Sequence, residues 1–189
     1  IEKYNMSLMS FGFINSQNSP AIWRGPMVSR MTQQFFEDVE WGNLDFLILD
    51  LPPGTGDIQL TLVQKIALTG AIIVTTPQKL ALLDVKKGAD MFNKVNTPLL
   101  GVIENMTHFI CPHCNEMTTI FPGEGGTEES SRLGVPLLGN IYLSPEITES
   151  TENGIPYVIK HEDSPITSEF SKIVSQILKI TNAPTLEEK

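Results

Sequence analysis

Residues 44–57 read LDFLILDLPPGTGD, and no other stretch constrains the fold as tightly. Residues 44–51 are almost continuously apolar, without the alternation of a strand that shows one face to water. Such a run suits a strand buried on both faces, as in a parallel sheet covered by helices. It ends at Asp50, and Pro52, Pro53 and Gly54 then stop any ladder from continuing. Further strands are predicted over 5–14 (NMSLMSFGFI), 70–76 (GAIIVTT), 99–104 (LLGVIE) and 137–143 (LLGNIYL). Helices are predicted over 27–39, 57–69, 80–95, 126–133 and 164–180, with Asp57 capping the second. The last helix places Phe170, Ile173, Val174, Ile177 and Leu178 on one face. This alternation predicts an α/β fold, a mostly parallel sheet flanked by helices. A short hairpin over 109–121 carries both cysteines near its tip.

The chain has 189 residues, enough for one domain with a real core. Residues 1–180 read as part of a single domain and 181–189 as a fraying tail. Lysine and arginine number 13 against 22 acids, a net charge of −9. That balance argues against a nucleic-acid partner, which needs a basic face. The end of the chain, TNAPTLEEK, is acidic and is repelled by anionic lipid. No run is apolar enough to span a bilayer, so no membrane partner is expected. Two cysteines, three positions apart, are no disulfide framework, and a reducing cytoplasm is the expected location.

Ligands of open α/β sheets sit at the carboxyl ends of the strands, where Asp50 stands. A carboxylate there can hold Mg²⁺, directly or through water, beside a triphosphate. The loop Pro52, Pro53, Gly54, Thr55 and Gly56 can approach a γ-phosphate closely, because its glycines present no side chain. Asp57 can position water or substrate, and helix capping explains it equally well. The plain alternative is a strand followed by a turn.

Cys111-Pro112-His113-Cys114 puts two thiols on one tight turn. Two thiolates can grip one soft metal, but they are half of a four-ligand shell. From spacing alone, a zinc site helped by His108 or His113 ranks first. A redox dithiol and a turn held by packing are the alternatives.

The string LDFLILDLPPGTGDIQLTL (44–62) resembles the Walker B and switch II region of the ApbC/Mrp group of iron–sulfur cluster carriers. That group lies within the MinD, ParA and nitrogenase iron protein class. Two more stretches agree in the family's order: SPAIWRGPM (19–27) and GVIENMTHFICPHC (101–114). The likeness runs from about Tyr4 to Val174.

The resemblance implies a MinD-like P-loop NTPase that binds ATP and Mg²⁺. Asp50 would organise the Mg²⁺, Asp57 would join it in catalysis, and Pro52–Gly56 would line the phosphates. Asn105 would read the adenine, although an Asx-turn accounts for it as well. Cys111 and Cys114 would hold a 4Fe–4S cluster at the two-fold axis of a homodimer. A purified sample could carry zinc there instead. Hydrolysis, signalled through 51–57, would gate delivery of the cluster to apo-proteins. Trp23 would pack or touch the partner subunit, and Arg24 could approach a phosphate. Other readings are a MinD- or ParA-like positioning ATPase and a zinc-stabilised binding module. The family's Gly-rich phosphate loop with its lysine has no counterpart in these 189 residues. The chain is therefore expected to bind ATP weakly or not at all, the ATPase activity belonging to the full-length protein.

Overall fold

The computed structural model describes residues 1–14, 25–51 and 57–183. They fall into two compact units, Ile1–Ala67 and Leu68–Lys189.

The first unit opens on a hairpin of β1 (Glu2–Lys3) and β2 (Met6–Ser7). Tyr4 and Asn5 turn it with φ of 53° and 57°. Both central residues at positive φ make the tight reversal that suits antiparallel strands, and asparagine tolerates it best after glycine. The short helix α1 (Phe11–Ile14) follows, its Gly12 N–H donating to Ser10 Oγ at 3.2 Å. The strand expected over 5–14 is therefore corrected: Asn5 reverses the chain and Ser10 starts a helical turn. Helix α2 (Gly25–Glu37) and helix α3 (Asp57–Lys65) match two predicted helices. Lys65 Nζ donates to Gln33 Oε1 between them, and Trp41 Nε1 donates to the Phe35 carbonyl at 2.8 Å. Phe11 packs on Phe35 with ring centroids 4.6 Å apart.

The strand expected over 44–51 is also corrected. Among the described residues these positions form no ladder. Ile48 is 88% exposed, and Leu44, Phe46 and Leu47 are exposed with it. An apolar run becomes a strand only where a neighbour supplies ladder partners, and no described segment pairs with this one.

The second unit holds the sheet. Strands β3 (Ala71–Thr75), β4 (Leu99–Ile110) and β6 (Leu137–Leu143) are parallel, with β4 central. Strand β5 (Met117–Thr118) pairs antiparallel with the end of β4. Helix α4 (Lys79–Lys94) returns the chain from β3 to β4, and α5 (Gly125–Leu133) returns it to β6. These two helices pack against β3 and β4, while α8 (Pro165–Thr181) covers β6. Between β6 and α8 lie α6 (Pro145–Glu152) and α7 (Tyr157–Lys160). Ser144 and Ser164 cap α6 and α8, each followed by a proline at the first helical position.

Leu138, Ile141, Ile166 and Ile173 form a core cluster under α8. The approach is close, because a Cβ at Gly139 would sit 2.6 Å from Ile173 Cγ1. Gln176 Nε2 adds a hydrogen bond to the Leu138 carbonyl at 2.8 Å. The face predicted for this helix is partly corrected. Ile166, Ile173 and Leu178 are buried, whereas Phe170 and Val174 stay exposed at 37% and 44%. A narrow contact on β6 buries one stripe of the helix and leaves its flank bare.

Candidate functional site

Strand β4 carries the most chemistry. It runs without a break in the chain from the core residue Val102, through Glu104 and Asn105, to Ile110 beside Cys111. The separation of Asn105 from Cys111 along it is on the order of 15–20 Å. The strand was expected to stop at residue 104, and it continues because β5 and β6 pair with its second half.

A bulge interrupts that second half. Asn105 pairs with Ile141 and Phe109 with Leu143, so three residues of β4 face one of β6. Met106 takes φ of 58°, and its N–H donates to Asn105 Oδ1 at 2.9 Å. The half-buried Asn105 thus spends its carbonyl on a local turn and keeps its amide N–H groups for other use. Bulges bend a strand and re-aim its side chains. Here His108 comes to stack on Tyr142, with centroids 5.3 Å apart, and Thr107 Oγ1 lies 2.9 Å from His108 Nδ1. Burial, then the neighbouring Tyr157 and Glu146, raises the Tyr142 hydroxyl above its ordinary pKa.

Beyond the bulge the chain reverses through the two cysteines. Ile110 pairs with Met117, and the Cys111 N–H donates to the Glu116 carbonyl at 3.0 Å. The Asn115 N–H returns to the Cys111 carbonyl at 2.9 Å, with Asn115 at φ 57°. Inside this turn the Cys111 sulfur accepts the backbone N–H of His113, then that of Cys114, and the Cys114 thiol. Those donors favour the thiolate and hold Cys111 below the ordinary thiol value, against a small opposing effect of burial. Both thiols are free, Cys111 half-buried and Cys114 exposed. The turn therefore presents two free thiols side by side, with the thiolate of Cys111 favoured by the backbone.

Among the described residues no third His, Cys, Asp or Glu joins a metal-binding group. His108 is taken up by Thr107 and Tyr142. One chain thus offers two thiol ligands, half of a tetrahedral shell.

Glu104 was not foreseen. Its side chain is buried, 7% exposed, and Oε1 accepts the Gly126 N–H at 2.6 Å in the first turn of α5. A Cβ at Gly126 would lie 2.6 Å from Glu104 Cβ, so only glycine lets the helix come so near. The contact fastens the segment returning from the cysteine hairpin onto β4. An acid inside an apolar strand, and paired glycines ahead of a helix, were its signals. The buried Glu129 is held by Arg132 in the same helix, at 2.6 Å and 2.9 Å.

The other expected residues lie in the first unit or outside the description. Asp50 is exposed near the end of the apolar run 44–51. Asp57 is the first residue of α3. Pro52, Pro53, Gly54, Thr55, Gly56, Trp23 and Arg24 lie outside the described residues, as does most of the expected tail. Among the described residues no helix is long and apolar enough to cross a membrane.

The ParA family model, described as NUBPL iron-transfer P-loop NTPase, matches residues 1–178. The iron-sulfur cluster carrier protein of Aquifex aeolicus is 48% identical over 95% of this chain and 50% of its own length. The iron-sulfur cluster transfer protein NUBPL of Dictyostelium discoideum is 44% identical over 95% of this chain and 55% of its own. The chain thus spans about half the length of these curated relatives. Among solved structures, a nucleotide-binding protein of Archaeoglobus fulgidus in complex with ADP superposes with a TM-score of 0.65. It is 32% identical over 86% of this chain and 60% of its own. The septum site-determining protein MinD of Pyrococcus horikoshii, complexed with Mg-ADP, gives a TM-score of 0.60 at 26% identity. That match covers 80% of this chain and 57% of MinD. The fold is MinD-like, and the chain belongs to the ParA family of P-loop NTPases, in its NUBPL iron-transfer group.

Proposed function

We propose that this chain is the cluster-holding part of an ATP-dependent iron–sulfur carrier. Two copies bind one 4Fe–4S cluster through Cys111 and Cys114 of each and pass it to apo-proteins. The observation that carries this reading is the turn itself. The Cys111 N–H donates to the Glu116 carbonyl and the Asn115 N–H returns to the Cys111 carbonyl, which sets two free thiols on one tight turn. A symmetric second copy supplies the two missing ligands without any new sequence element. The cluster is cargo, so a shell built from two separable halves suits its release.

In the whole protein, residues 1–180 form part of one NTPase domain, with 181–189 as its tail. Asp50 organises Mg²⁺ beside ATP, residues 52–56 border the phosphates, Asp57 assists hydrolysis and Asn105 reads the adenine. Binding of ADP and of Mg-ADP by the two solved neighbours supports the nucleotide part. Hydrolysis resides in the whole protein, and the 189-residue chain binds ATP weakly or not at all. A reducing compartment such as the cytoplasm keeps the thiols available. A positioning ATPase of the MinD kind would share the fold but have no use for the thiolate turn.

The test is anaerobic reconstitution with iron and sulfide, followed by incubation with an apo-ferredoxin-type acceptor. Roughly four irons per two chains, lost in Cys111→Ser and transferable to the acceptor, is the expected result. Full transfer by the Cys111→Ser, Cys114→Ser double variant would overturn the reading.

A further inference from the structure

The cysteine turn hangs on two limbs that are held very differently. The outgoing limb is β4, paired with β6 as far as Phe109 opposite Leu143. The returning limb has only Met117 and Thr118 in a ladder, opposite Ile110 and Phe109. Every residue from Pro112 to Ile120 is exposed, so burial does little to hold it. Two ladder pairs alone do not keep a hairpin closed in water. The first buried residues on the return are Gly125 and Gly126, and there Glu104 Oε1 accepts the Gly126 N–H at 2.6 Å.

Glu104 belongs to β4 itself, 22 residues before Gly126. The contact therefore ties the returning limb to the strand from which the outgoing limb starts, and closes the loop that contains both cysteines. The fit is steric as well as polar. Gly123 has φ of 135°, and a Cβ there would stand 2.7 Å from the carbonyl oxygen of the buried Pro77, just past β3. The far end of α5 is secured separately, by Arg132 on the buried Glu129 and, at 3.5 Å, on Asp90 of α4. Losing the Glu104 contact thus frees the first turn of α5 and the limb ahead of it, and leaves the rest of the helix in place.

We propose that Glu104 is a positioning residue for the cysteine turn: by holding Gly126 it closes the base of the hairpin and keeps Cys111 and Cys114 in the geometry a metal needs. This rests on the reading of the two cysteines as a metal site. Glu104 lies on the order of 20 Å along β4 from Cys111 and acts through the backbone between them. Closing a loop costs chain entropy, and a fixed contact at its base meets that cost before any metal binds. An acidic side chain suits the position, because the first turn of a helix offers unpaired N–H groups and the positive end of its dipole.

Co²⁺ is the probe, titrated anaerobically into the reduced 189-residue chain, with thiolate-to-cobalt charge-transfer absorbance read against added metal. Glu104→Gln keeps an acceptor for the Gly126 N–H and is expected to follow the parent. Glu104→Ala removes it and should need at least about tenfold more Co²⁺ for the same absorbance, the effect usual when the support of a metal ligand is lost. Gly123→Ala, at an exposed position, pushes the limb off Pro77 and should act in the same direction. Ile173→Ala weakens the core under α8 and should leave the titration at the parent's, which separates positioning from a general loss of stability. A parental titration in Glu104→Ala, or in Gly123→Ala if the first variant does not fold, overturns the positioning role and leaves the metal site standing. An equal shift in Ile173→Ala does the same. No charge-transfer band in the parent overturns the metal site, and the positioning role falls with it.

Discussion

Cys111 shows how much a few backbone atoms decide. Its sulfur is engaged first by the His113 N–H, then by the Cys114 N–H and thiol, and burial opposes them only weakly. The folded pKa therefore lies below the ordinary value of 9.0. The sign follows directly: the folded turn prefers the thiolate, so it is favoured above the unfolded value, and that advantage is lost as pH falls through the lowered one. Iodoacetamide labelling of Cys111 against pH, followed by peptide mass spectrometry, should show a midpoint below 9.0. His113→Pro removes the largest of the three donors and should move the midpoint upward. A midpoint that does not move would mean that the backbone of residue 113 does not engage the sulfur. The pair was legible in the sequence as two thiols on one tight turn, but the preference of Cys111 for its thiolate was not. The donors are backbone groups of residues 113 and 114, and nothing in a Cys-x-x-Cys spacing announces which way they face. Glu104 was hidden for a similar reason, since its partner Gly126 is 22 residues away.

At the scale of elements, periodicity found what local packing enforces. Strands β3 and β6 and helices α4 and α8 appear almost where apolar patterning puts them, because their partners lie within the same unit. The patterning of α8 was too generous, however. Five apolar residues were assigned one face, and the helix meets β6 along a narrower stripe centred on Ile173. The adjacent pair Ile173 and Val174 separates the two descriptions. Ile173 is 3% exposed and Val174 is 44% exposed. Ile173→Ala should cost about 2–5 kcal/mol, from lost transfer energy and a cavity beside Gly139. Val174→Ala, at the exposed flank, should fall within about 0.5 kcal/mol. Urea unfolding of both variants measures this, with equal losses counting against the stripe. The bulge at 106–108 could not be read in advance, because GVIENM continues an apolar strand and only Asn105 hints at a turn. That bulge sets His108 against Tyr142.

The whole molecule is unevenly consolidated, and the unevenness falls on the most informative string of the sequence. Residues 44–51 predict a buried central strand, yet among the described residues they carry no ladder, and Leu44, Phe46, Leu47 and Ile48 are exposed. The sequence reading assumed a neighbour on each side, as a doubly covered strand requires. Backbone amides exchange slowly when they are hydrogen-bonded inside a cooperative unit and quickly when they are not. Hydrogen exchange should therefore divide the chain sharply. Amides of Val102, Ile103 and Glu104, flanked by β3 and β6, sit in the centre of the sheet. They should exchange at least about a thousandfold more slowly than their intrinsic rates. Amides of 44–51 should exchange close to their intrinsic rates, despite a composition more apolar than that of β4. Equal protection of the two segments would mean that 44–51 is paired in solution, by another segment or by a second chain. Dilution separates those cases: protection that fades as the protein is diluted comes from a second chain, and protection that persists comes from within the chain.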